Sequence, residues 1–229
     1  MAIYVGDKRY APYIGDNRRR YMGGVVPQPS YDEKSYIQDG LVFQLDGIVK
    51  GDTVGSWTDL VSKNVLSPQG NPVATDKGWV FDGNSRFYRS RWLQTNNSCT
   101  LEVSGIFQSG STLVIYSWSG NIVLNGNYFY QSNSGNNSYY ITENLYNNTP
   151  FSASMNIDRC VKNKNVLTPS HSSYYITGYT ECSVGRFQNA ANSGLVGTIY
   201  AIRLYNRKLT EAEQKFNVKV DSVRFGFSL

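Results

Sequence analysis

The chain has 229 residues, 40% of them hydrophobic and 14% aromatic, enough apolar mass for a sizeable core. That excludes both a disordered chain and a disulfide-stapled miniprotein. Only 17% are charged, while 18 Tyr, 21 Gly and many Asn, Ser and Thr fill the remainder, which excludes coiled coils and favours an all-β domain rich in turns.

The formal charge of +5 raises the question of an acidic or nucleic-acid partner. Five cations (Lys8, Arg9, Arg18, Arg19, Arg20) against Asp7 and Asp16 give residues 1–24 a balance of +3, leaving +2 for the other 205 residues. A nearly neutral domain with a basic arm points to local docking on a protein, and no nucleic-acid module is recognisable.

The N-terminal segment contains a short internal repeat. Tyr4-Val5-Gly6-Asp7-Lys8-Arg9 recurs as Tyr13-Ile14-Gly15-Asp16-Asn17-Arg18, and each copy predicts a tight turn between short extended stretches. Two such copies are too small to bury a core, and their Tyr and Ile residues argue for docking on a partner. The candidate partner-binding residues are Tyr4, Lys8, Arg9, Tyr13, Arg18, Arg19, Arg20 and Tyr21. Met22-Gly23-Gly24 reads as a hinge and Val25-Val26-Pro27-Gln28-Pro29-Ser30 as a semi-rigid linker. The chain therefore divides into an extended N-terminal anchoring arm and linker, residues 1–36, and one domain, residues 37–229.

From residue 40 onward the pattern is β throughout. Leu41-Val42-Phe43-Gln44-Leu45 leads into Asp46-Gly47, and Trp79-Val80-Phe81 into Asp82-Gly83. Asn125-Gly126 separates Ile122-Val123-Leu124 from Tyr128-Phe129-Tyr130, and such dipeptides between apolar runs signal hairpins or turns. Further strands are predicted over residues 87–92, 100–107, 112–118, 139–142, 174–177, 183–187, 197–204 and 218–227. Many short strands indicate an antiparallel β-sandwich or jelly roll. One short C-terminal helix interrupts them: Thr210 and Glu213 form a capping box, Leu209, Ala212 and Phe216 face the core, and it ends within about two turns.

No apolar run of seven or more residues marks a secretory signal, and no stretch approaches a membrane span. Cys99, Cys160 and Cys182, an odd number at wide spacings, are expected to be buried thiols. Yet an Asn, Ser, Thr, Tyr and Gly surface belongs to proteins that work outside cells. A virion component made in the cytosol and released by lysis satisfies both signals, and so does a secreted chain whose signal has been removed.

The opening Gly40-Leu41-Val42-Phe43-Gln44-Leu45-Asp46-Gly47, the Trp57-Thr58-Asp59-Leu60 segment and Trp79-Val80-Phe81-Asp82-Gly83 carry a family likeness. Its most specific part is Tyr205-Asn206-Arg207-Lys208-Leu209-Thr210-Glu211-Ala212-Glu213. Together these resemble the concanavalin A-like lectin/glucanase superfamily in its laminin-G-like branch, over residues 38–227, with residues 161–166 as a shortened family hairpin. The resemblance implies a jelly-roll sandwich and one Ca²⁺ at a loop end, for which Asp46, Asp82, Asp59 and Asn206 stand in turn positions. The same side chains also serve ordinary turn capping. No other cofactor is implied. Separately, the arm resembles the leaders of virion proteins in tailed phages of gut bacteria.

Glucanases of that superfamily place carboxylates as Glu-x-Asp-x-x-Glu on one strand, because one must protonate the leaving oxygen while another attacks. No such spacing occurs: Glu33, Glu211 and Glu213 belong to linker and helix, and Glu102, Glu143 and Glu181 stand apart. His171, the single histidine, lies in a polar turn with no nucleophile-elbow pattern. The chain is expected to be non-enzymatic.

For binding, period two places Phe129 on one hairpin face and Tyr128 with Tyr130 on the other, where Tyr140 joins them. Rings flanked by Asn amides suit sugars. They also suit an oligomer interface or an ordinary strand face. Arg89 and Arg91 form a second candidate for an anionic glycan, opposite Tyr88 and Trp92, or else the solvated side of a strand whose core residue is Trp92.

These readings converge on a non-enzymatic bacteriophage virion protein, a capsid decoration or a head- or tail-associated fibre. Its arm binds other virion proteins, and its lectin-like domain, multicopy or homo-oligomeric, adheres to glycans or a host surface without nucleic-acid or membrane contact. A receptor-binding tail fibre tip, a secreted carbohydrate-binding module of a gut bacterium and a degenerate glycosidase stand as alternatives.

Overall fold

The computed structural model describes residues 30–51, 55–96, 98–109, 111–116, 121–125, 128–132, 138–142, 147–171, 177–186 and 194–229, with residues 4–5 and 8–9. After β1 (Tyr4–Val5) and β2 (Lys8–Arg9) come β3 (Leu41–Asp46), β4 (Trp57–Thr58), β5 (Val65–Gln69), β6 (Val73–Ala74), β7 (Trp79–Asp82), β8 (Arg86–Asn96) and β9 (Thr100–Ser109). A meander of β10 (Ser111–Tyr116), β11 (Asn121–Asn125), β12 (Tyr128–Ser132) and β13 (Ser138–Thr142) follows. The chain closes with β14 (Phe151–Met155), β15 (Cys160–Lys162), β16 (Asn165–Leu167), β17 (Ser170–His171), β18 (Thr177–Val184), β19 (Val196–Tyr205) and helix α1 (Glu211–Phe225).

Strand pairing is antiparallel and builds two large sheets, as an all-β sandwich requires. One runs β17-β13-β12-β11-β10-β18-β8-β5-β4; the other runs β16-β15-β14-β9-β19-β7-β6, with β3 also paired to β19. The core takes side chains from both, among them Phe43, Trp79, Phe107 and Ile202 from the second and Trp57, Leu66, Phe87 and Val184 from the first. Trp79 and Phe87 meet edge to face, with ring centroids 4.7 Å apart. Cys99, Cys160 and Cys182 are all buried in this core. Burial pushes the Cys182 thiol far above its ordinary pKa.

The Asp-Gly signals resolve differently from the Asn-Gly one. Asn125 stands opposite Tyr128, so Asn125-Gly126 does belong to a hairpin of β11 and β12. Asp46-Gly47 and Asp82-Gly83 follow strands of the eight-stranded sheet, and the next strands, β4 and β8, belong to the nine-stranded one. These are corners between sheets. Apolar residues on both sides of each corner, such as Phe81 and Phe87, reach the same core from opposite layers. The expected shortened hairpin at residues 161–166 is β15 with β16, its turn using Asn163 at φ 51.

Helix α1 corrects the expectation for the C-terminus. It runs for 15 residues, about four turns, and absorbs most of residues 218–227, whose valines read as a strand. Thr210 and Glu213 do form the capping box, and Gly226 ends the helix at φ 69. Leu209 is buried, but Ala212 and Phe216 are exposed; the buried face is instead Gln214, Asn217, Val218, Asp221 and Phe225. A Val costs a helix only a few tenths of a kcal/mol, whereas those polar side chains find partners on the sheet below.

The central partner is Arg203 of β19, 1% exposed. Its Nη1 and Nη2 donate to the two oxygens of Asp221 at 2.9 and 2.7 Å, and its Nε donates to Glu102 Oε2 at 2.7 Å. Ser152 Oγ donates to Asp221 at 2.7 Å, and Asn217 Nδ2 donates to both Glu102 oxygens and to the Tyr205 hydroxyl. Tyr36 closes the cluster from above. Its ring lies 3.7 Å from the Arg203 guanidinium, its hydroxyl donates to Asp221 at 2.7 Å and accepts from Arg224 at 3.1 Å, and Arg224 pairs with Asp46. Burial raises the Glu102 carboxyl above its ordinary pKa against the pull of Arg203.

Tyr36 is 2% exposed, and the Ile37 amide donates to Asn217 Oδ1 at 3.0 Å. Tyr31 also packs edge to face on Phe216. The folded domain thus reaches back past residue 36 into the predicted linker.

Replacing Asp221 by Ala leaves a buried guanidinium without its bidentate partner and is expected to cost about 3–5 kcal/mol in urea unfolding. A pH-dependent effect is expected at Glu213, whose carboxyl Arg207 holds down to about 2 from an ordinary 4.5. A depressed acid contributes stability that is complete above its unfolded value and lost as pH falls through its folded one. The loss caused by Glu213→Gln, about 1–2 kcal/mol near neutrality, should therefore shrink steadily from about pH 5 to about pH 2.

Candidate functional site

The outer face of the nine-stranded sheet can be traced from burial and register. Cys182 and Val184 of β18 are both 0% exposed in the core, so Glu181, one residue along, belongs to the outer face. Residues directly opposite in an antiparallel pair lie on the same side of a sheet. Glu181 is opposite Tyr116 of β10, Tyr116 is opposite Asn121 of β11, and Asn121 is opposite Ser132 of β12. Steps of two back from Ser132 reach Tyr130 and Tyr128, and Tyr130 is opposite Tyr140 of β13. The three tyrosines singled out in the sequence therefore share the outer face, two of them as a direct cross-strand pair. Leu124, Phe129 and Ile141 align on the inner face, as their apolar character requires.

The sequence marks this region by a further signal: residues 103–142 contain no Asp, Glu, Lys, Arg or His.

The basic cluster does not join the tyrosines. Strand β8 places Phe87 in the core, and Arg89 is opposite Cys182, on the core side of the sheet; the side chain of Trp92, expected in the core, lies outside the described ones. Arg89 is half-buried and donates to the Val65 carbonyl of β5 at 3.2 Å. Arg91 falls within the irregular stretch of the β8–β18 pairing, between Arg89 and Leu93. Arg86 is buried, with its Nε donating to Gln69 at 2.7 Å and its guanidinium 5.1 Å from the Tyr88 ring.

The turn carboxylates are engaged by their own turns. Asp46 Oδ1 accepts the amides of Ile48 and Val49 at 3.0 and 2.9 Å, besides pairing with Arg224. Asp82 Oδ1 accepts those of Asn84 and Ser85 at 2.9 and 2.8 Å, which lowers its carboxyl below the ordinary range. Asp59 accepts from Gln44 and Val61, and so caps the open edge of β3. The backbone N–H of Asn206 donates to the Gly40 carbonyl at 2.8 Å. Among the described residues no group of three or more His, Cys, Asp or Glu is placed to hold a metal ion.

A cleft of about 540 Å³ opens beside that edge of β3, lined by Glu33, Lys34, Gln38, Gln44, Thr58 and Lys63 among others. Nothing in the sequence marks it, because its lysines stand far apart in the chain and meet only through folding. In the arm, Tyr4 pairs with Arg9 and Val5 with Lys8 across the turn expected of the first repeat. Tyr13, Arg18, Arg19, Arg20 and Tyr21 lie outside the described residues. His171 sits in β17 opposite Tyr139, in a short strand where a polar turn was expected.

No family model matches the chain, and no curated protein matches it by sequence. Solved structures do match. Domain 4 of AbnA, an extracellular arabinanase from Geobacillus stearothermophilus, solved in complex with arabinotriose, aligns with TM-score 0.59 at 12% identity, over 79% of this chain and 100% of that domain. The binding domain of Paraclostridial Mosquitocidal Protein 1 aligns with TM-score 0.54 at 11% identity, over 78% of this chain and 52% of that one. A mutant Trypanosoma rangeli sialidase aligns with TM-score 0.49 at 11% identity over 83% of this chain. The chain spans about a third of the sialidase's length, 34%.

The likeness is one of fold. It places the chain among antiparallel β-sandwiches, the fold class expected from its many short strands and turns.

Two carboxylates that share a cation, Glu102 and Asp221, are buried around Arg203 and form part of the packing between helix and sheet. Because local amides already fill the Asp46 and Asp82 turns, chelation with EDTA is expected to leave the melting temperature unchanged, and added Ca²⁺ should not raise it, as read by differential scanning calorimetry.

Proposed function

We propose that the chain is a non-enzymatic glycan-binding β-sandwich, held on a larger assembly by its basic N-terminal arm. The observation that carries the binding reading is the register that brings Tyr128, Tyr130 and Tyr140 to one outer sheet face. Aromatic rings offer the apolar faces of sugars a stacking surface, and the Asn and Ser residues around them supply donors and acceptors for hydroxyls. The arabinanase domain that shares this fold over its whole length was solved with arabinotriose, which supports the same use of the sandwich here.

The anchoring reading rests on the arm itself. Its +3 balance, its repeated Tyr-Val-Gly-Asp and Tyr-Ile-Gly-Asp segments and its resemblance to tailed-phage leaders favour attachment to other virion proteins in many copies. Weak glycan contacts repeated across a particle would then add up to avidity.

In affinity electrophoresis against embedded polysaccharides, the full chain is expected to be retarded, and the paired variant Tyr128→Ala/Tyr130→Ala to run as in their absence. Retardation that survives both substitutions would remove this face as the site. Deleting residues 1–24 is expected to abolish incorporation into particles while leaving retardation intact.

A further inference from the structure

The face that carries Tyr128, Tyr130 and Tyr140 has a second property, which narrows its ligand. Strands β10 to β13 lie wholly within residues 103–142, which hold no ionisable Asp, Glu, Lys, Arg or His side chain. At the chain's average of 17% charged residues such a stretch would carry about seven, so charge has been kept out of it. The charged residue reached from this meander by register on the outer face is Glu181, opposite Tyr116, and it is acidic. Around the tyrosines the register brings Asn121, Asn125, Ser132, Ser138 and Thr142 to the same side, all neutral donors and acceptors.

We infer that this face selects uncharged saccharides and discriminates against acidic ones. The inference rests on the glycan-binding reading above and deepens it by naming the class of sugar. An acidic sugar laid on these strands gives up hydration at its carboxylate or sulfate, finds no cation among residues 103–142 in return and approaches Glu181. A neutral sugar loses nothing of that kind. It stacks on the rings and exchanges its hydroxyl hydrogen bonds with water for bonds with amides and hydroxyls. With no ion pair in the contact, salt has nothing to screen. The same molecule carries a counterexample: the cleft at β3 presents Lys34 and Lys63 beside Glu33, chemistry that would favour an acidic ligand and fade with salt.

The test uses the full chain on an array of neutral and acidic glycans, washed at about 20 mM and at about 0.5 M salt. Neutral glycans are expected to hold the protein, with signals changing less than about twofold between the two washes. Titrating the best neutral hit should show affinity falling about tenfold or more in Tyr130→Ala and Tyr140→Ala, and unchanged in Lys34→Ala/Lys63→Ala. Binding confined to acidic glycans, lost in high salt or in the lysine variant, overturns the inference and leaves glycan binding standing. No signal from any glycan overturns both. The salt comparison on the unaltered chain decides the sugar class even if a tyrosine variant fails to fold.

Discussion

Arg203 carries a full charge into the space between helix α1 and the eight-stranded sheet, and that charge has to be answered inside the protein. Burying an ion costs several kcal/mol, recovered only when geometry is good and every remaining donor is used. Here the guanidinium forks onto Asp221, reaches Glu102 through Nε and lies against the Tyr36 ring. The groups that answer it come from β9, α1 and the segment before β3. One buried cation thereby fixes where the helix sits and where the N-terminal segment joins the domain.

That arrangement gives the two outer sheet faces different roles. On the eight-stranded sheet, Glu102, Ser152 and Arg203 are polar but covered, because α1 and Tyr36 lie over them. A polar face of this kind would otherwise pass for an open site. The outer face of the nine-stranded sheet instead carries aromatic and amide residues in register, beyond the strands that hold the core. The candidate site therefore belongs to the meander of β10 to β13, and Glu102, one of the isolated carboxylates of the sequence, is part of the scaffold.

Charge follows the same division. Cations concentrate in the arm, where five stand within residues 1–24, and the meander holds none. Inside the domain the strongest charges are paired and buried, and the turn carboxylates of Asp46, Asp59 and Asp82 are spent on backbone amides. Under the proposed function the arm would dock electrostatically and the meander would use neutral chemistry, so the two contacts would not compete for the same partners.

Much of this is written locally in the chain. Alternation around Asn125-Gly126 was enough to put Tyr128 and Tyr130 together, because a two-residue period and a tight turn leave little choice of face. The capping box at Thr210 and Glu213 needed only four residues. What local pattern could not decide was anything that depends on a partner distant in sequence. Asp46-Gly47 and Asp82-Gly83 look like hairpin turns, and only the two-layer packing of Phe81 and Phe87 makes them corners between sheets. The valines after Asn217 look like a strand, and only the cluster around Arg203, joining residues more than a hundred positions apart, makes them helical. Arg89 looked solvent-facing until pairing with Cys182 set it on the core side. By itself the sequence determined the all-β class, the hairpin that aligns two of the tyrosines and the basic arm, all consequences of near-neighbour geometry and composition. The tertiary structure decided which face is covered, how long the helix runs and where the domain begins, because each turns on a buried charge whose partners lie far away along the chain.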